Sequence, residues 1–233
     1  MDGVAFGSGA SVVLLMEGAF NGRPSSRRSF LMWHPDDVFR PFSTWPRPFS
    51  VGVVLQRAAF LVAVATCRRL SELVSLRVDD NFLLLSEFSA RFIPSRLSKT
   101  DRPNRMGPPI MLYSFPADPT LCPVEAVQTL VKVRHSLGLS HPYLFFASLR
   151  PFAPLSIASF RGLIAAVLRQ ADIHAPPGTT RAASASAAFL RGANLADVLR
   201  AGDWTSAQTF FAHYCRDVGA STPSARGAPS GSS

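Results

Sequence analysis

The sequence predicts an α+β fold, mainly helical, with one small antiparallel β-sheet. Three observations predict it. Apolar residues recur at helical spacing in several separate stretches, the clearest being 51–66 and 156–171. One interval, 79–114, changes to strand-like composition, and Pro94, Pro103, Pro108 and Pro109 hold its strands short. An apolar content of 47% in 233 residues is enough for one sizeable core.

Taken in order, residues 1–14 are rich in Gly, Ser and Ala and have no period. Leu14, Leu15 and Phe20 could close a last helical turn, and Asn21-Gly22 and Arg23-Pro24 stop it. A polar, basic linker follows. Residues Trp33–Phe42 read as a short helix, with Pro35 early and Asp36 and Asp37 near its positive end. Thr44–Ser50 is a turn. Val51–Thr66 is a long buried helix; Gln56 and Arg57 interrupt it, so it is no membrane span. Cys67-Arg68-Arg69 breaks this helix. Leu70, Leu73, Val74 and Arg77 then predict a second helix over Leu70–Val78. The strand interval follows, with Lys99 at a hairpin tip.

Cys122-Pro123 opens a helix running to about Leu137, and Tyr143–Ala147 reads as a short strand. In Ser156–Ala171 one face carries Ile157, Phe160, Leu163, Ile164, Val167 and Leu168. Ala175–Gly178 is a loop. Two helices, Arg181–Arg191 and Leu195–Ala201, are parted by Gly192 as a C-cap and Asn194 as an N-cap. Thr205 or Ser206 caps a last helix that carries Tyr214. Beyond Val218 the composition is that of a disordered tail.

Net charge is +9, and of the basic residues only Lys99 and Lys132 are lysines. Arginine forks match phosphate oxygens bidentately, which makes an anionic polymer a candidate partner. A GC-rich coding sequence would give the same arginine bias. Three cysteines, Cys67, Cys122 and Cys215, lack metal-ligand spacing and suggest a reducing compartment. The N-terminus has no basic region before its apolar run, so no secretory signal is expected, and the location is nuclear or cytoplasmic.

The stretch Thr179–Asp217 concentrates the candidate chemistry: Arg181 at a helix start, Trp204 at a helix junction, and Tyr214 backed by Phe210 and Phe211. Upstream, ATCRRLSEL (residues 65–73) puts Arg69 at a helix start, with Glu72 three residues on to brace it on the same face. This ordered set resembles tyrosine recombinases, the phage-integrase family. Their first arginine motif is Thr-Gly-x-Arg-x-Ser-Glu-Leu; Thr66, Arg69, Ser71, Glu72 and Leu73 match, and Cys67 replaces the glycine. SKTDRP around Lys99, Cys122-Pro123-Val124 and FNGRPS (residues 20–25) are similar to DIRS/Ngaro-type retrotransposon recombinases.

The resemblance implies a tyrosine recombinase catalytic domain over 31–218. It is preceded by residues 1–30, the remnant and linker of a truncated core-binding domain, and followed by a tail over 219–233. It implies strand cleavage and rejoining of double-stranded DNA through a 3′-phosphotyrosine on Tyr214, without metal or other cofactor, by up to four protomers in a synapse, as in recombination or integration of mobile DNA. Arg69 and Arg181 would hold the non-bridging oxygens, Lys99 would protonate the leaving 5′-oxygen, and Trp204 would hydrogen-bond the phosphate through its indole N–H.

One position departs from the pattern. The family's His-x-x-Arg puts a histidine three residues before Arg181, where this chain has Gly178. That predicts impaired catalysis, because losing an acid–base group costs on the order of 10²–10⁴ in rate. His174 or His213 could substitute. The alternative is a DNA-binding remnant of a mobile element that no longer cleaves.

Overall fold

The computed structural model describes residues 32–45, 47–96 and 107–214. The expected N-terminal remnant, the tail and Lys99 lie outside the described residues. Ser50 starts the longest described helix, α2 (Val51–Thr66); its hydroxyl accepts from the Val53 amide at 3.3 Å. A short helix, α1 (Pro35–Phe39), and a 3-10 turn (Arg40–Thr44) come before it. Ten residues of α2 are buried, and it packs against α4 (Pro123–Ser136), α5 (Ile157–Gln170) and α6 (Thr179–Leu190). α2 is therefore the axis of the main core. Among the described residues no helix is long and apolar enough to cross a membrane.

α2 ends at Cys67, whose φ of 51° is left-handed. Glycine, which the resembled motif has at this position, would suit such backbone, having no Cβ to clash at positive φ. The predicted helix over Leu70–Val78 is shortened to α3 (Leu70–Leu73). Tertiary pairing overrides its period. Leu144 donates its amide to Leu76 O and Val78 donates to Pro142 O, both at 2.8 Å, so this backbone is extended. The predicted strand over Tyr143–Ala147 also fails to form a ladder. It makes one isolated bridge to Arg77 through Tyr143 and another to Pro154 through Phe146. It pairs with two different irregular partners, while Leu144, Phe145 and Phe146 are fully buried.

The sheet is antiparallel in the order β1 (Leu83–Leu85), β2 (Ser89–Phe92), β3 (Ile110–Tyr113). Its register pairs Leu83 with Phe92 and Phe92 with Ile110, all buried; Leu84, Arg91 and Met111 form the facing row outside. The two-residue period of the strands separates these faces. The mainly helical fold with a small antiparallel sheet is as the sequence predicts.

Helix α6 begins two residues before the predicted Arg181 and is buried from Thr180 through Ala187. Alanine and serine side chains let its backbone sit deep. Two contacts fix its ends against the segment ahead of α2: Trp33 Nε1 donates to Thr179 Oγ1 at 2.9 Å, and Arg191 pairs with Asp36. Gly192, at φ 90°, then turns the chain into α7 (Leu195–Gly202), which Asn194 caps as expected. Ser206, of the two candidates, caps α8 (Ala207–His213). A second, smaller core gathers Cys67, Ala185, Val198, Trp204 and Phe210 beneath these helices.

Candidate active site

Arg69 stands at the N-cap of α3, and its Nη1 donates to Glu72 Oε1 at 2.9 Å. The bracing read from the three-residue spacing is present. Its side chain is 30% exposed, so the fork is presented rather than buried.

Arg181, in the first turn of α6, is its opposite. It is 5% exposed, and none of its three guanidinium nitrogens has a hydrogen-bond partner among the described residues. Its neighbours are ring faces: the guanidinium carbon lies 4.2 Å from the Trp204 ring centroid and 5.2 Å from that of Tyr214. Such cation–π contacts stabilise the charge by about 0.5–2 kcal/mol, less than full hydrogen bonding would. Burial accordingly holds the Arg181 pKa below its usual value. The like charge of Arg69 pushes the same way, while Tyr214, Glu72 and Cys67 oppose the shift. The charge of Arg69, at the start of α3, thus acts on the guanidinium carried by α6.

Trp204 follows Asp203, whose left-handed backbone (φ 56°) ends α7. Gly202 makes room for the indole: a Cβ built there would lie 1.9 Å from Trp204 Cζ3. The indole Nε1 is also buried without a partner among the described residues. Trp204 and Tyr214 meet edge to face with centroids 5.0 Å apart. Tyr214 lies at the C-cap of α8 rather than inside the helix. Its amide donates to Phe210 O at 2.8 Å, and Ser186 Oγ donates to its carbonyl at 2.6 Å. Half-buried, it packs against both the main core and the smaller one.

Arg181, Trp204 and Tyr214 thus converge, and the charge of Arg69 acts on the same guanidinium. Lys99 lies outside the described residues, as does the side chain of His213. His174 is exposed, and its Nε2 pairs with Asp172 at 3.2 Å. Gly178 forms the N-cap of α6 in helical backbone, and a Cβ built on it meets nothing within 4 Å. Burial raises the Cys67 thiol pKa to about 12, against a smaller opposite pull from Arg181. Sequence reasoning missed Gly202, Asp203 and Ser186. The Gly-Asp pair before Trp204 was a signal for the first two; Ser186 carried none.

No family model and no curated protein matches the chain. Solved structures do. The fold is similar to that of XerH site-specific recombinase bound to palindromic difH substrate in a post-cleavage complex, with a TM-score of 0.58 and 14% identity over 79% of this chain and 50% of that one. It is similar to XerA recombinase, with a TM-score of 0.58 and 15% identity over 81% and 61%. A lambda integrase dimer bound to a COC′ core site matches with a TM-score of 0.53 and 15% identity over 90% and 73%. The chain has the tyrosine recombinase catalytic-domain fold. It spans half the length of the XerH chain that it matches. Within this fold Arg69 and Arg181 lie on two separate helical segments, α3 and α6, and Tyr214 ends a third, α8.

Proposed function

We propose that the chain cleaves and rejoins duplex DNA, with Tyr214 as nucleophile. The Tyr214 hydroxyl oxygen attacks the scissile phosphorus and gives up its proton to a general base or water, the P–O5′ bond breaks, and a 3′-phosphotyrosine forms. The leaving 5′-oxygen takes a proton, for which Lys99 is the candidate donor. A 5′-hydroxyl from a second strand end reverses the step, so no external energy source is needed. Arg69 and Arg181 neutralise the non-bridging oxygens as charge builds in the transition state. Trp204 Nε1 supplies a third donor.

One observation carries this reading: a guanidinium 5% exposed, with no acceptor among the described residues, beside a second arginine and against the ring of Tyr214. A buried charge normally requires compensation. A phosphodiester would supply it. The recombinases that share the fold support the same class of partner. Recombination or integration of mobile DNA, a DIRS/Ngaro-like origin and a tetrameric synapse belong to this proposal.

A nicked duplex that loses its 5′-hydroxyl fragment on cleavage tests it. The expected result is a covalent protein–DNA band on a denaturing gel, abolished in Tyr214→Phe while duplex affinity is retained. Affinity should fall steeply with salt, because phosphate contacts release counterions. A second reading, a DNA-binding remnant without cleavage, is favoured by Gly178. It predicts salt-sensitive binding and no covalent band at any pH.

A further inference from the structure

Adjacent arginines end α2 with opposite fates. The Arg69 side chain is 30% exposed and that of Arg68 only 3%. Arg68 Nη1 lies 3.5 Å from Glu72 Oε2 and 3.5 Å from Asp203 Oδ2, and Nη2 donates to Pro108 O at 3.2 Å. The other Glu72 oxygen, Oε1, holds Arg69. The result is an alternating chain of charges, Arg69–Glu72–Arg68–Asp203. It starts at the presented fork and reaches Asp203, the residue immediately before Trp204. Pro108 adds a third strand of chain, the one leading into β3.

We propose that Arg68 is a positioning residue of this site: it holds the Arg69 fork and the Trp204 indole in register with each other. Without its charge, the Glu72 and Asp203 carboxylates lose the guanidinium that lies between them. Glu72 then relaxes, loosening Arg69. The left-handed turn at Asp203 shifts, moving the indole that supports Arg181. The planar guanidinium reaches both carboxylates through Nη1 and the carbonyl through Nη2, whereas a lysine ammonium is a single point charge that cannot span all three. The catalytic consequence rests on the recombinase reading; the positioning itself does not.

The test uses the whole chain labelled with 5-fluorotryptophan. Its three tryptophans give three ¹⁹F signals, and Trp204→Phe assigns one of them. Arg68→Met and Asp203→Asn should each move the Trp204 signal and leave those of Trp33 and Trp45 in place. The double variant should add nothing further, and Arg68→Lys should restore the signal only in part. On the nicked duplex, Arg68→Met should slow single-turnover trapping on the order of 10²-fold at unchanged duplex affinity, the penalty of a small misplacement. An unmoved Trp204 signal, additive shifts in the double variant, or all three signals moving together would overturn the proposal. If Arg68→Met does not fold, Asp203→Asn and Arg68→Lys decide it by the same signal. Absence of trapping by the parent chain would sink the recombinase reading while the spectra still settle the role of Arg68.

Discussion

Arg57 and Arg181 are both buried guanidinium groups on packed helices, 3% and 5% exposed, but their surroundings differ. Arg57 donates Nε to Thr120 O at 2.8 Å, donates Nη2 to Pro119 O and pairs with Glu125. It joins α2 to the turn before α4, and the protein itself satisfies it. Arg181 is offered only aromatic faces among the described residues. Arg57 is thus equipped to hold the fold, whereas Arg181 is left without an acceptor among the described residues. Burial alone does not separate the two roles; the supply of acceptors does.

Four measurements can break or sharpen that contrast. The largest effect is expected at Arg181. Arg181→Met should slow covalent trapping of DNA by about 10²–10³-fold, the usual cost of one transition-state donor. Its melting temperature should stay level or rise, because replacing an uncompensated buried charge with an apolar side chain of similar volume is often stabilising. Single-turnover kinetics beside a thermal melt checks both, and a large fall in melting temperature would make Arg181 structural after all.

Arg57→Met should give the reverse pattern. It orphans two carbonyls but leaves Glu125 partly solvated, for a loss of about 2–4 kcal/mol in urea unfolding. Trapping per folded molecule should be unchanged. Gly178→His comes next. A Cβ there meets nothing within 4 Å, so the variant should fold normally and raise trapping by up to about 10²-fold. No gain would mean that tyrosine activation does not limit this chain.

The last effect is confined to alkaline pH and concerns Cys67, in the smaller core with Trp204, where burial outweighs the pull of Arg181. Its thiol is neutral in the fold up to about pH 12 but ionises from about 9.0 when unfolded. The folded state therefore keeps the proton longer, and this contribution to stability is full below pH 9 and is lost as pH rises toward 12. Cys67→Gly should flatten that alkaline decline relative to the parent chain. It also suits the left-handed backbone there.

Local signals were legible where neighbours in sequence decide the outcome. The turn over Thr44–Ser50 and the break at Cys67-Arg68-Arg69 mark the apolar helix Val51–Thr66 at both ends, and Arg69 and Glu72 meet because helical geometry puts residues three apart on one face. The stretch after Leu73 was misread for the opposite reason. Its apolar spacing suits a helix, but its backbone is taken up by residues 142–144. Arg68 and Arg69 look alike in sequence; only the positions of Asp203 and Pro108 make one buried and leave the other presented.

By itself, the sequence determined the mainly helical class with its small sheet, the caps, the order of the candidate residues and the absence of a histidine at 178. These depend on period, side-chain type and spacing, which are properties of neighbouring residues. Only the tertiary structure decided that Arg181 is buried without an acceptor among the described residues, that Trp204 and Tyr214 close on it, and that Arg68 links Glu72 to Asp203. Those depend on which distant backbones pack together, since a charge takes its energy from the groups that surround it in space.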